Sequence, residues 1–247
     1  MDYSIVLPAY NEESYLPDTL DSLSRCMAGL PDAKGEIIVV DNNSTDRTAA
    51  VSTSKGARVA FEEERGIGKA RNRGALEASG ELLFFVDADT IVPEKTFIEA
   101  YELMSLGKAG AGGSTLRFDQ THGKAFLGLL LPSFWNWVSR TFKLAAGSFI
   151  FCRKDVFRAC RGFPEKLYAG EEIFFSRKAK AFCRRTGTSF RVLTENPVVT
   201  SSRKLIWHSG SSIFLSMLLL LVFPLAIRFR KLCSFWYERP EEGRKSS

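Results

Sequence analysis

Only two histidines, His122 and His208, occur in 247 residues, and the five cysteines form no C-x-x-C pair and have no histidines at zinc-site spacing nearby. This excludes a His/Cys zinc centre of the common spacings and leaves no histidine cluster for a triad. Cys26, Cys152, Cys160, Cys183 and Cys233 are odd in number and scattered, which reads as reduced thiols rather than a disulfide framework. The opening residues Met1 to Ser4 run straight into an apolar segment without the basic flank and long apolar stretch of a secretory signal, so the domain is expected to stay in the cytoplasm. No internal repeat is present. The longest nearly uninterrupted apolar run, Ile213 to Ile227, contains Pro224. As a helix it would reach only ~22 Å, short of a bilayer core of about 30 Å.

What the chain does have is enough apolar material, 45% of its residues, for one substantial core. A net charge of +6 suits anionic lipid or phosphate-bearing substrates as well as nucleic acid, so it decides little, and no nucleic-acid partner is expected.

Strand and helix signals alternate through the first ninety residues. Ser4 to Leu7 is an apolar run, and Leu16, Leu20, Leu23, Met27 and Leu30 then recur as on one helix face. Ile37-Ile38-Val39-Val40 is β-branched and closes on Asp41, with a helix expected from about Thr45 to near Gly56. Arg58 to Phe61 supplies a third strand, Lys69 to Ser79 a helix, and Leu82 to Val86 a strand buried on both faces. The alternation predicts an α/β, Rossmann-like, mostly parallel sheet flanked by helices, with ligands bound beyond the carboxyl ends of the strands. The second half predicts a helix around Pro93 to Leu106, a Gly-rich strand region from Ala109 to Phe118, an apolar aromatic stretch from Phe126 to Phe142, a strand near Phe149 to Phe151 and a helix from Glu172 to Arg185. The expected division is a catalytic domain over 1–204, an apolar membrane-associating segment over 205–237 and a disordered tail over 238–247.

Three polar groups lie at predicted strand ends: Pro8-Ala9-Tyr10-Asn11-Glu12, Asp41-Asn42-Asn43-Ser44, and Asp87-Ala88-Asp89. Each alone is an ordinary turn; together they describe a polar cleft. Two carboxylates beside a buried strand offer oxygen ligands to a hard divalent ion, Mg2+ or Mn2+, of the kind that bridges nucleotide phosphates. With Glu64 to Gly74 (ERGIGKARNRG) between them, these segments resemble inverting glycosyltransferase family 2, with its GT-A fold, over about the first two hundred residues.

The resemblance implies that Pro8, Tyr10, Glu12 and Asp41 border the nucleoside, that Lys69 and Arg71 approach the base or diphosphate, and that Asp89 holds the metal while Asp87 binds ribose or completes the metal shell. Tyr168-Ala169-Gly170-Glu171-Glu172 is similar to the family's Glu-Asp pair beside the acceptor, with Glu172 where Asp is usual. Glu172 is the first choice for the base and Glu171 the alternative, against two acids that merely suit a helix N-terminus. Gly147 to Phe157 resembles the segment that shapes the acceptor side, and Thr200 to Lys204 the basic element in which Arg203 and Lys204 meet the leaving diphosphate. His208 could complete the metal shell.

The implied activity is metal-dependent, inverting transfer of a sugar from a nucleoside-diphosphate sugar to a hydroxyl acceptor, with a lipid or glycolipid as leading acceptor. Arg228, Arg230 and Lys231 after the apolar run argue for an in-plane or re-entrant anchor, peripheral or monotopic at the cytoplasmic face, with Phe126 to Phe142 as a second interfacial element. A nucleotidyltransferase would carry a Gly-rich loop after the first strand, and a processive synthase a Gln-x-x-Arg-Trp motif; the sequence has neither. The remaining rival is a non-catalytic nucleotide-sugar-binding or scaffold protein of the same fold.

Overall fold

The computed structural model describes residues 1–119 and 125–203, apart from the side chains of 125–131. The expected apolar segment 205–237, the tail, Lys204 and His208 lie outside the described residues.

The four apolar runs of the first half become β1 (Tyr3–Ala9), β2 (Gly35–Asp41), β3 (Arg58–Phe61) and β4 (Leu82–Val86), mutually parallel through β1 to β2, β2 to β3 and β1 to β4. The connecting helices are α1 (Leu16–Ala28), α2 (Thr48–Ser54) and α3 (Ile67–Glu77). Helix α2 starts three residues later than expected, because the Asp46 carboxylate accepts the Thr48 amide and fixes the first turn there.

The second half departs from a mostly parallel sheet. After β5 (Thr90–Ile91) and α4 (Glu94–Ser105) come β6 (Ala109–Phe118), α5 (Ala125–Phe142), β7 (Phe149–Arg153), α6 (Lys154–Cys160), α7 (Glu171–Arg185) and β8 (Ser189–Thr200). The sheet order is β3-β2-β1-β4-β7-β6-β8-β5. Strand β7 runs antiparallel to both β4 and β6, and β5 antiparallel to β8, so the sheet is mixed. The cause is geometric: the chain leaves α5 at the site edge and enters β7 from there, so no crossover reverses it. An apolar strand buried on both faces has the same composition in either direction.

Side chains alternate across the sheet between two cores. Tyr3, Ile5, Leu7 and Phe84 pack with α1 and α4; Val6, Ile38, Val40 and Phe85 pack with α3, α6 and α7. Among the described residues no helix is long and apolar enough to cross a membrane.

Gly74 sets how closely α3 approaches the sheet. A Cβ there would stand 2.2 Å from Val6 Cγ1 and 2.9 Å from Val40 Cγ2, both in buried core. Gly74→Ala is therefore expected to cost about 1–3 kcal/mol of unfolding free energy, since overpacked cores respond by shifting backbone. Urea denaturation checks this; an unchanged midpoint would mean that α3 is free to slide outward.

Candidate active site

The carboxyl ends of β1, β2 and β4 converge, and the loops beyond them are stitched together before any ligand arrives. Asn11 and Asn43 follow β1 and β2 with φ of 51° and 65°, a left-handed turn that asparagine tolerates. The Asn11 side chain accepts the Thr45 amide at 2.8 Å, the Asn11 amide donates to Ser44 Oγ, and the Glu12 amide donates to Thr48 Oγ1 at 2.8 Å. Asp41 is spent partly on its own turn, accepting the Ser44 amide at 3.0 Å. Asn42 holds the approach to α3 by donating to the Glu62 and Glu64 carbonyls and accepting the Gly66 amide. This brings Arg65 over the face of Tyr10. Pro8 lies within β1 opposite Val40, and Lys69 pairs with Glu64 at the rim.

Arg71 lies deeper than a residue facing base or diphosphate would. It is 0% exposed, and its guanidinium reaches three elements. Nη2 donates to Asp87 Oδ1 at 2.9 Å and to the Gly147 carbonyl at 2.8 Å, while Nη1 donates to Glu171 Oε1 at 2.7 Å. Burial favours the neutral guanidine, but Asp87, Glu171 and Glu172 outweigh it and hold the proton more tightly than usual. Arg71 is thus a strut beneath the cleft, joining the β4 carboxylate to the acid pair that opens α7.

A second guanidinium closes the other side. Strand β8 returns the chain to the site, where Thr90 pairs with Thr200 and the Ser201 amide donates to the Asp89 carbonyl. Asp119 accepts both the amide and the hydroxyl of Ser202, which fixes the turn into Arg203. Arg203 then grips Glu12 with two bonds of 2.7 and 2.6 Å and meets Asp89 Oδ2 at 2.9 Å, stacked on Tyr15. Fork-to-fork pairing of this kind is specific to arginine. Burial opposes the charge on Arg203, but Glu12 and Asp89 more than compensate and raise its pKa. Glu12, expected beside the nucleoside, has both oxygens turned to Arg203.

At the start of α7, Gly170 has a φ of 74°, which lets the chain turn sharply into the helix. The two acids there are not equivalent. Glu171 is buried on Arg71, whereas Glu172 is pushed up to about 8, by burial first and next by Glu171, against the pull of Arg71. A carboxyl with a pKa near neutrality is suited to exchanging a proton.

For a divalent ion the local donors are Asp87 and Asp89, two carboxylates on one turn. Arg71 holds Asp87 Oδ1, while Arg203 and, at 3.4 Å, Thr200 approach Asp89. Among the described residues no group of three or more His, Cys, Asp or Glu is arranged to hold a metal. A two-carboxylate, oxygen-only set fits Mg2+ or Mn2+ bound mainly through substrate phosphates and water.

Among the contacts not legible in the sequence are Arg65 over Tyr10, the Gly147 carbonyl on Arg71, and Thr200 beside Asp89. Arg65 lies within ERGIGKARNRG, so its neighbourhood was marked but not its partner. The other two depend on strand pairings distant in sequence.

A mixed α/β, Rossmann-like sheet with acids and guanidiniums gathered at its carboxyl edge is the architecture in which ligands bind beyond the strand ends. The chain matches the family model for Glycosyl transferase family 2 over residues 4–160, and it belongs to that family. The glucosyl-3-phosphoglycerate synthase of Mycobacterium tuberculosis is 38% identical over 103 residues, covering 38% of this chain and 31% of the synthase. Its structure in complex with Mn2+ and uridine-diphosphate-glucose aligns with a TM-score of 0.59 at 21% identity, over 88% of this chain and 78% of that one. A dolichyl-phosphate beta-glucosyltransferase of Drosophila melanogaster is 38% identical over 101 residues, 36% of this chain and 31% of its own length. A mannosyltransferase from Pyrobaculum calidifontis, solved with GDP-Man and Mn2+, has a TM-score of 0.65 at 20% identity, over 93% of this chain and 63% of that one. The aligned stretch thus spans 31% of either curated relative.

Replacing Arg71 by Met removes one partner from two carboxylates, one of them, Glu171, deeply buried. A loss of about 3–5 kcal/mol in unfolding free energy is expected, measured by denaturant titration. A loss below about 1 kcal/mol, the range of a surface pair, would mean that Arg71 is no strut.

Proposed function

We propose that the chain is a metal-dependent, inverting glycosyltransferase that moves a sugar from a nucleoside-diphosphate sugar to a hydroxyl acceptor. One observation carries the reading: Arg71 ties Asp87, on the carboxylate turn after β4, to the Glu171-Glu172 pair opening α7, so a donor-side and an acceptor-side acid share one guanidinium. Membership of family 2 and relatives solved with nucleotide sugars and Mn2+ support the same assignment.

In this reading Asp41 accepts hydrogen bonds from the base or ribose, and Tyr10 with Arg65 borders the base. Lys69, Arg203 and Lys204 offer positive charge to the diphosphate. Asp87 and Asp89 would hold the Mg2+ or Mn2+ ion, with His208 as a further ligand. The bound ion supplies charge neutralisation for the departing nucleoside diphosphate. Glu172 is the base: it takes the proton from the acceptor hydroxyl as that oxygen attacks the anomeric carbon on the face opposite the leaving group. Glu171 is the lesser choice, since its carboxylate is engaged by Arg71. The acceptor is a lipid or lipid-linked hydroxyl at the cytoplasmic face of a membrane. In support, α5 exposes aromatic side chains, the four described cysteines are free thiols, and one relative carries dolichyl-phosphate in its name.

The test is nucleoside-diphosphate release from uridine-, guanosine- and thymidine-diphosphate sugars, with Mn2+ or Mg2+. Asp89→Ala is expected to abolish metal-dependent release, and Glu172→Gln to lower kcat by about 10²–10⁴-fold with donor binding retained. Donor binding without turnover in the wild type, with lipid acceptors supplied, would instead establish a non-catalytic binding protein.

The pH dependence follows from the sign of the Glu172 shift. A base must be deprotonated, and burial favours the protonated form, so kcat/KM of the free enzyme is expected to rise with pH through a limb near 8. That limb should vanish in Glu172→Gln. A wild-type limb that persists unchanged in Glu172→Gln would assign the base elsewhere.

A further inference from the structure

Helix α5 turns an apolar face away from the protein. Phe134, Trp137 and Phe142 are 62%, 53% and 54% exposed, while Ser139 is buried and Asn136 is spent on the Leu116 backbone. The three rings form a continuous ridge, with centroids 6.1 Å apart for Phe134 and Trp137 and 6.2 Å for Trp137 and Phe142. Such a cluster is too contiguous for chance exposure of single apolar residues.

Cations gather beside it. Lys180 on α7 donates to the Phe142 carbonyl, and its ammonium is pushed down by burial and then by Arg184, Lys143 and Arg177, so these three cations lie within electrostatic reach of Lys180. Arg140 stands on the last turn of α5. No acid interrupts the sequence between Asp119 and Asp155, or between Glu172 and Glu195. On α7, Phe174, Arg177, Ala181 and Arg184 follow helical spacing along one outward stripe, Phe174 being 41% exposed. Mutual repulsion of this kind persists at a cost unless an anionic surface offsets it.

We propose that the Phe134–Trp137–Phe142 ridge, flanked by Lys143, Arg177, Lys180 and Arg184, is a docking surface for a bilayer containing anionic lipid. Exposed Trp and Phe bordered by Lys and Arg are the composition that enters the headgroup boundary. A second copy of the chain fits less well, because a two-fold contact through this face would set the same cations against each other. The inference rests on the membrane part of the proposed function, not on the transferase chemistry, and gives it a surface outside the segment 205–237.

The experiment uses the full chain with an environment-sensitive fluorophore at Ser133→Cys in a Cys233→Ser background, the remaining cysteines being buried. The probe reports on α5 even where other parts of the chain touch lipid. Vesicles are phosphatidylcholine alone or with about a third phosphatidylglycerol. The expected result is a blue shift with the anionic vesicles only, reversed by salt. Replacing Lys143, Arg177 and Arg184 by Gln should weaken it on the order of a hundredfold, and Trp137→Ala with Phe142→Ala should abolish it. Equal shifts on neutral vesicles, no shift on vesicles that the chain demonstrably binds, or a shift that grows with protein concentration without lipid would each overturn the proposal. The last outcome would point to self-association. Donor hydrolysis, with water accepting the sugar, is expected to be retained in both variants. Failure of docking with hydrolysis intact is therefore distinguishable from failure of the transferase reading.

Discussion

The architecture of the site depends on one buried guanidinium. Arg71 enters from α3, and its hydrogen bonds reach the turn after β4, the loop before β7 and the first turn of α7. Those three elements belong to both halves of the chain and to parallel and antiparallel parts of the sheet. A buried ion pair contributes little net stability against an apolar replacement of equal shape, since desolvation consumes most of the Coulomb gain. What it supplies is position. With fixed, planar donors already committed, the Asp87 and Glu171 side chains have little room to move, and the cleft above them keeps its shape.

Arg203 repeats the arrangement from the far end of the described chain. It binds Glu12, which follows β1, and Asp89, which follows β4, and it does so because β8 lies beside β6 and β5. The two arginines therefore divide the acids between them: Asp87 and Glu171 to one, Glu12 and Asp89 to the other. Glu172 is left to feel Arg71 only as a charge at a distance, with Glu171 beside it. Its pKa is raised by burial first and by Glu171 next, and Arg71, bonded to Asp87 and Glu171, only partly opposes them. The helix N-terminus on which it sits favours the ionised form, and burial with the adjacent carboxylate still prevails.

The parts of this arrangement legible in the sequence are those encoded by local pattern. Continuous apolar runs marked β1, β2 and β4, Gly-rich Ala109 to Phe118 matches β6, and Glu12, Asp41, Asp87 and Asp89 stand at or just beyond strand ends. The direction of β7 was not legible, because a strand buried on both faces reads the same either way. Nor was β8, whose pattern is interrupted by Thr194, Glu195, Asn196 and Pro197, nor β5, with only two residues. The depth of Arg71 was concealed for a different reason. In a run as polar as Lys69-Ala70-Arg71-Asn72-Arg73 a basic side chain reads as solvent-facing, and only partners 16 and 100 residues away account for its burial.

The same distribution of charge bears on the divalent cation of the proposed function. Two guanidiniums face the four carboxylates they hold, and a fifth acid, Glu172, has its pKa raised by burial and by Glu171. The paired groups alone leave an excess of negative charge on the side of Asp87 and Asp89, in a region where partial burial weakens screening. A nucleoside diphosphate arriving alone would add to that excess and be repelled. In the proposed function, a divalent cation arriving with it would place positive charge against Asp87 and Asp89, with Arg203 and Lys69 on the side of the phosphates. The acids of this site are thus compensated enough to fold, yet not so fully that a cationic partner has nothing left to offset.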